Sequence, residues 1–513
     1  MTTTQWPAAP PPPPVLGPWP PRYGEPGWTV WPRRVWPIDP LARAPRRFVW
    51  AALVVALLGT CIWRPSVLSV GYLVVAVMVF GLAYGTADRR PTRGQWLGAV
   101  LTLALLAVPA LLAAEWLGGL CLAAAWVVGW GTLVGGRTWT AVFVGPFLPW
   151  VLPSRVSGWV RRSGPELVPP AAGWPKLSRV AVVLGLTVLL VAVFGGLFAA
   201  ADPAFAHLVG SLMPALDVGS VVARVVVFGL VLAFALAGGY LMRCAPRLDA
   251  MAPAPRQPVP RWEWALPLGV LDALFIAFVA VQATVLFGGH DHVLETEGLT
   301  YAEYARAGFW QLLWVSALTL LVLTAVIRVA ARVTPADRRL LRLLVGTMCV
   351  TSVVVVVCSA IHRMWLYQQA YGFSVQRLMV IAIEGWLGVV FVLIAAAGLR
   401  MTAHWLPRAV LVAGAMTVLG VAALNPERLI AERNIDRYEH TGTLDTDYLL
   451  SLSPDVEQAL ARLPEPMRQC ARYRDRKPDP WYEFNLSRAR ASHAGTPSYD
   501  ACEPYWTADY WPT

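Results

Sequence analysis

The feature that most constrains this chain is a recurrence. Mostly apolar stretches of about twenty residues, each long enough to cross a hydrocarbon core roughly 30 Å thick, alternate with short charged segments. The apolar residues within a stretch do not alternate with polar ones, which excludes the strands of a membrane β-barrel. Only 14% of the residues are charged and 57% are hydrophobic, against about 25% charged in a soluble domain. The fold class follows: all-α, a polytopic helical membrane protein.

Reading the apolar stretches between charges gives eleven expected spans, at residues 48–63, 67–84, 96–113, 116–134, 180–200, 218–241, 264–287, 309–330, 341–360, 378–399 and 405–424. The stretch 141–153 is apolar but short and interrupted by proline, and is read as interfacial or re-entrant. If it crossed, the C-terminal tail would change sides. The net charge of +11 does not point to nucleic acid, because the basic residues sit in clusters between spans. With the N-terminus inside, the outward loops between spans hold only Arg64, Arg306, Arg363 and Arg377, while the inward segments hold 26 arginines and lysines. That asymmetry places the N-terminus in the cytosol and the C-terminus outside.

Three regions are expected: a Pro-rich disordered cytosolic segment at 1–46, a transmembrane bundle at 47–424, and a polar helical tail at 425–513. Trp31 and Trp36 of the first region are placed among the headgroups. In the tail, Asn425-Pro426 and Ser453-Pro454 read as helix openings. Cys470 and Cys502 read as a disulfide in an oxidising compartment, with two free thiols as the alternative. The stretch "LTYAEYARAGFW" sets Tyr301, Tyr304 and Phe309 at helical spacing, the pattern of a surface helix before the next span.

Four stretches carry a resemblance: "VLDALFIAFVAVQATVLFGG", "LTYAEYARAGFWQLL", "RMWLYQQAYGFSVQRL" and "NPERLIAERNIDRYEHTGTLDTDYLLSLSPD". Together, with "ADPAF" at 201–205 as a weaker match, they resemble the DUF4153/DUF4173 group of bacterial membrane proteins over about residues 180–463. The resemblance implies a multi-span integral membrane protein with a polar C-terminal region, and no particular reaction. All 42 basic residues but Lys176 and Lys477 are arginine. That skew marks GC-rich bacterial coding, and the expected location is the bacterial plasma membrane.

Charged groups at membrane depth are costly and are the natural place to look for mechanism. Arg224, Asp272 and Glu384 lie within expected spans, with Gln282 ten residues beyond Asp272. At about 1.5 Å per residue, Arg224 and Glu384 each lie roughly 9 Å below the outer boundary, and Asp272 lies about 18–20 Å from it. Depth therefore matches Arg224 with Glu384. Two readings stay open: an interhelical ion pair that fixes packing, or a proton- or ion-linked path. His290, Asp291, His292, Glu295 and Glu297 share one loop, but their spacing alone sets no metal geometry, and no metal or other cofactor is expected. No phosphate-binding glycine loop, His-Glu-x-x-His, Gly-x-Ser-x-Gly or Cys-x-x-Cys occurs, so no enzyme activity is expected. The expected partners are the lipid bilayer and, through the tail, envelope proteins. The leading expectation is a scaffold or sensor-like protein, and the alternative is a transporter or channel for a small solute.

Overall fold

The computed structural model describes residues 35–36, 43–88, 90–163, 218–252, 259–287, 301–330, 332–355, 372–442, 444–465 and 479–491, with 187, 194, 198, 202 and 468. The expected span at 180–200, the loop carrying His290 to Glu297, Trp31, and both Cys470 and Cys502 lie outside the described residues, apart from 187, 194 and 198. Every regular element among the described residues is helical, and the β-pairing is a single isolated bridge between Val259 and Ala330.

The bundle helices are α1 (Arg46–Ile62), α2 (Val70–Gly85), α3 (Arg93–Leu111), α4 (Glu115–Val134), α5 (Trp139–Val144), α6 (Leu148–Arg161), α7 (Val218–Arg243), α8 (Arg261–Phe287), α9 (Tyr301–Val329), α10 (Pro335–Val354), α11 (Val375–Arg400) and α12 (Leu406–Ala423). After them come α13 (Pro426–Thr441) and α14 (Thr446–Ser451). Ten of the expected spans each fall on one of these helices. Six of the helices are long and apolar enough to cross a membrane: α3, α4, α7 over Ser220–Arg243, α8 over Arg261–Gln282, α11 and α12. Val70–Gly85 and Leu313–Val329 are apolar but shorter, and α10 opens on Arg338, Arg339 and Arg342, which charge its first two turns.

Two packed halves meet at α11 and α12. One core gathers Phe48 of α1, Ala83 of α2, Trp130 of α4, Trp159 of α6 and Leu241 of α7. The other gathers Leu268 of α8, Leu323 of α9, Met348 of α10 and Phe391 of α11. A third cluster joins Leu105 of α3 and Leu117 of α4 to Ala415 of α12, with Ala382 of α11 packed against it. Thus α11 touches one half through Ala382 and the other through Phe391.

The stretch 141–153 forms α5, a 3-10 turn at Gly145–Phe147 and the start of α6. It leaves the end of α4, where the Trp126 indole donates to the Pro146 carbonyl at 3.0 Å. It returns to the same end, where Trp159 meets Tyr240 at 5.5 Å and Phe48 at 5.6 Å. The segment therefore enters and leaves on one side. Leu148, Leu152, Val156 and Trp159 form its buried stripe, while Phe143, Phe147 and Trp150 stay exposed.

That side of the bundle is bound together by arginines. Arg243 pairs with Asp88 at 2.7 Å, Arg408 donates to the Gly135 and Gly136 carbonyls, and Arg261 donates to Asp337 at 2.6 Å. Part of the Pro-rich N-terminal segment, expected to be disordered, docks here. The Val35 carbonyl accepts from Arg247 N at 2.7 Å, and the Arg155 guanidinium lies 4.6 Å from the Trp36 ring centre. The cation on a face of indole supplies the anchor that composition alone did not reveal.

The opposite end carries residues 425–442, 444–465 and 479–491. Ile430, Ile435, Leu449, Val456 and Leu460 bury one another in a cluster of their own. Around it, polar groups seal the ends of the bundle helices. Asp455 accepts from Ala113 N and Ala114 N, all at 3.0 Å, and so caps α4, whose own N-cap, Ala114, has no side-chain acceptor. Asn485 donates to the Pro109 and Leu112 carbonyls at 2.8 and 2.7 Å, and Ser487 to Leu111, which satisfies the end of α3. Glu427 accepts from the Trp116 indole at 2.8 Å and from Ser453 N at 2.6 Å. An acceptor thus meets free amides and donors meet free carbonyls, as the unsatisfied groups of helix ends require.

Two local expectations change. The helix after Asn425-Pro426 begins as read, but Asn425 adopts φ 47° and its side chain caps nothing. The Tyr301 stretch is not a separate surface helix: Tyr301–Val329 is one uninterrupted α9, with no proline to break it.

Candidate functional site

The half of the bundle built by α8, α10 and α11 contains buried polar side chains with atoms that find no hydrogen-bond partner among the described residues. Asp272 is 4% exposed, Glu384 3% and Ser352 2%. Both Asp272 oxygens, Glu384 Oε2 and Ser352 Oγ lack a hydrogen-bond partner. Each stands on the face that its helix turns into the apolar core. Asp272 lies between Leu268 and Phe275, Ser352 follows Met348 and Cys349, and Glu384 precedes Phe391 by two turns.

The helix register arranges these groups in depth. A Cβ on Gly398 of α11 would meet Val345 of α10 at 3.7 Å, and one on Gly269 of α8 would meet Leu344 at 4.0 Å. Counting about 1.5 Å per residue from that shared level, away from the arginine-rich end, Asp272 lies about 5 Å along, Ser352 about 10 Å and Glu384 about 21 Å. The result is a ladder of three buried polar groups spread over roughly 16 Å of the span. Cys349 is buried beside this ladder.

The other residues singled out by sequence fall elsewhere. Gln282 reaches about the level of Glu384 along α8 but is only half-buried. Arg224 is exposed, on α7, which packs against α1, α2 and α6. A Cβ on Gly59 of α1 would meet Val231 of α7 at 2.9 Å, so Arg224, seven residues before Val231, projects past the end of α1 at Ile62. No ion pair joins Arg224 to Glu384 among the described residues. The depth match expected from sequence is not a contact, because depth says nothing about which helices adjoin.

Sequence reading missed Ser352, which looks like any hydroxyl in an apolar span. It also missed Asp455 and Glu427, whose acidic side chains reach out of the tail into the bundle. The "SPD" of Ser453 to Asp455 was the available signal. Ser453 accepts from Asp455 N at 3.3 Å as read, but the carboxylate it orients serves α4.

A family model, a domain of unknown function (DUF4153), matches residues 97–463. No curated protein and no solved structure matches the chain.

Proposed function

We propose that this chain, which belongs to the DUF4153 family, is a proton-linked membrane protein whose path runs through α8, α10 and α11. The observation that carries the reading is the pair of carboxyl side chains, Asp272 and Glu384, buried at two depths, where among the described residues no ion pair reaches either and both Asp272 oxygens and Glu384 Oε2 lack a hydrogen-bond partner. A carboxyl group in apolar surroundings avoids the cost of its charge only by holding a proton or by meeting water or a cation. Such groups within a bilayer mark proton and ion pathways. Ser352, at an intermediate depth, offers a hydroxyl that can both donate and accept. The residues act as binders and relays of a proton, and the reading assigns no bond-making chemistry to the chain.

The topology that goes with this reading has eleven crossings in a bacterial plasma membrane, N-terminus inside and tail outside. Its support is the collection of Arg93, Arg137, Arg243, Arg261, Arg338 and Arg408 at helix ends away from the tail. The return of 141–153 to its own side supports the same count. On this topology the tail is a lid over the outer ends of α3 and α4. A second reading, a scaffold whose tail meets envelope proteins, draws on Trp481, which is 65% exposed.

Proteoliposomes enclosing a pH-sensitive dye test the proposal. The wild-type chain should dissipate an imposed pH difference faster than empty liposomes, and Asp272→Asn and Glu384→Gln should each abolish the excess rate while still inserting. Dissipation by wild type no faster than empty liposomes, or at a rate the two variants leave unchanged, would refute the path. A scaffold would show cross-links from position 481 to other envelope proteins and no excess rate.

A further inference from the structure

The groove between α8 and α9 has a volume of about 390 Å³, within the roughly 300–1,000 Å³ of sites that hold small molecules. Leu268 and Leu271 of α8 and Val322 and Val326 of α9 form its walls. At the arginine-rich end the walls are joined. There Val259 N, just before α8, donates at 3.1 Å to the carbonyl of Val329, another lining residue. Farther along, the lip stands open. Val270 and Leu274 on one side are each 63% exposed, and Ala325 on the other is exposed as well. Because α8 is long and apolar enough to cross a membrane, this lip faces lipid.

Polarity is confined to one end of the groove. Beyond Trp264 no lining residue has a polar side chain, whereas Glu263 stands in the first turn of α8. Glu263 is exposed and takes part in no ion pair among the described residues, although Arg261, Arg338 and Arg339 share its end of the bundle. Pro267, also in the lining, has no N–H to return to the Glu263 carbonyl four residues back. One residue thus offers a carboxylate and a carbonyl without its helical donor, both at headgroup height. Apolar surface follows for the depth of one leaflet. From Trp264 to Leu274 is about 15 Å of helix, half of a hydrocarbon core roughly 30 Å thick.

We propose that this groove seats one acyl chain of a phospholipid whose headgroup carries an ammonium, as phosphatidylethanolamine does. The chain lies along Leu268, Leu271 and Val326, and the ammonium donates to the Glu263 carboxylate and carbonyl. The leaflet-deep length and the negative charge at one end single out this occupant. A helix from a second copy would run the full thickness of the bilayer, and an anionic headgroup would meet the Glu263 charge as repulsion. The inference requires only that α8 and α9 lie in a bilayer and does not depend on the proton path.

The test uses the full chain in detergent, given dioleoylphosphatidylethanolamine or dioleoylphosphatidylglycerol, with retained lipid read by native mass spectrometry. The wild-type chain should retain the ethanolamine lipid in about threefold to fivefold excess over the glycerol lipid, the worth of one exposed ion pair. Glu263→Gln should bring the two lipids to parity. Ala325→Trp, at an exposed position that loses no core contact, should fill the groove and lower retention of both at least about tenfold, because the chain loses its packed seat. Retention that Ala325→Trp leaves unchanged, or a wild-type chain without preference for the ethanolamine lipid, would overturn the site. So would a dimer in the mass spectrum that Ala325→Trp dissociates, since a second copy would then cover the groove. If Ala325→Trp fails to fold, Glu263→Gln decides alone: parity upholds the site, and an unchanged preference rejects it.

Discussion

Asp455 caps a helix whose N-cap residue, Ala114, lies 341 residues before it. Replacing it with alanine leaves two buried amides without an acceptor, which costs about 1–3 kcal/mol. Asp455→Ala should therefore lower the melting midpoint in detergent, and Asp455→Asn, which keeps one acceptor oxygen, should lower it less. At the other end, Asp249 accepts from Arg137 N at 2.8 Å, and from Thr138 N and the Thr138 hydroxyl, both at 2.9 Å. Partial burial pushes its pKa up. The three hydrogen bonds and the charge of Arg408 outweigh that and hold it below the ordinary value of 3.8. A carboxylate whose folded pKa is depressed contributes stability above the unfolded pKa and loses it as pH falls through the folded one. Melting curves should show this loss below about pH 4, and Asp249→Asn should remove that acid limb.

Close approach decides how neighbouring elements pack. Gly98 of α3 faces Thr132 of α4, and a Cβ at that glycine would overlap the Thr132 hydroxyl. Small residues at such points let membrane helices meet along their backbones, where packing drives association in place of the hydrophobic effect. Gly98→Leu should separate α3 from α4 at a cost of about 1–3 kcal/mol, read as a lower melting midpoint. The tail caps these same two helices at their far ends, so loosening them should also make residues near Asn485 more open to protease. An unchanged midpoint would contradict the packing described.

At the scale of the molecule, the placement of Arg224 and Glu384 on helices that do not adjoin makes a definite forecast. Glu384→Arg should impair accumulation in the membrane, and adding Arg224→Glu should not rescue it. Recovery in the doubly swapped chain would show that the two side chains meet. Topology has a separate check. In a Cys61→Ser background, which removes an exposed thiol, a membrane-impermeant thiol reagent applied to intact cells should label Cys470 and Cys502. If the two form the expected disulfide, labelling should require prior reduction. Labelling only after lysis would place the tail in the cytosol.

The sequence by itself determined the helices and the polarity of their ends, because both are local. An apolar run such as 405–424 is complete within its own residues, and the arginines that gather at one end already flank their spans. It also singled out Asp272 and Glu384, since a carboxyl group in an apolar run is visible without any neighbour. Only the tertiary structure decided which helices adjoin. On a soluble helix an apolar stripe identifies the packed face, but α2, α7 and α11 are apolar nearly all round. No such stripe therefore marks a partner. Hence Arg224 and Glu384 matched in depth and yet lie on different sides of the bundle. Hence, too, Asp455 read as part of its own turn, when its oxygens complete a helix from the far end of the chain. Hydrogen-bond satisfaction across the fold made that assignment, and it leaves no trace in local sequence.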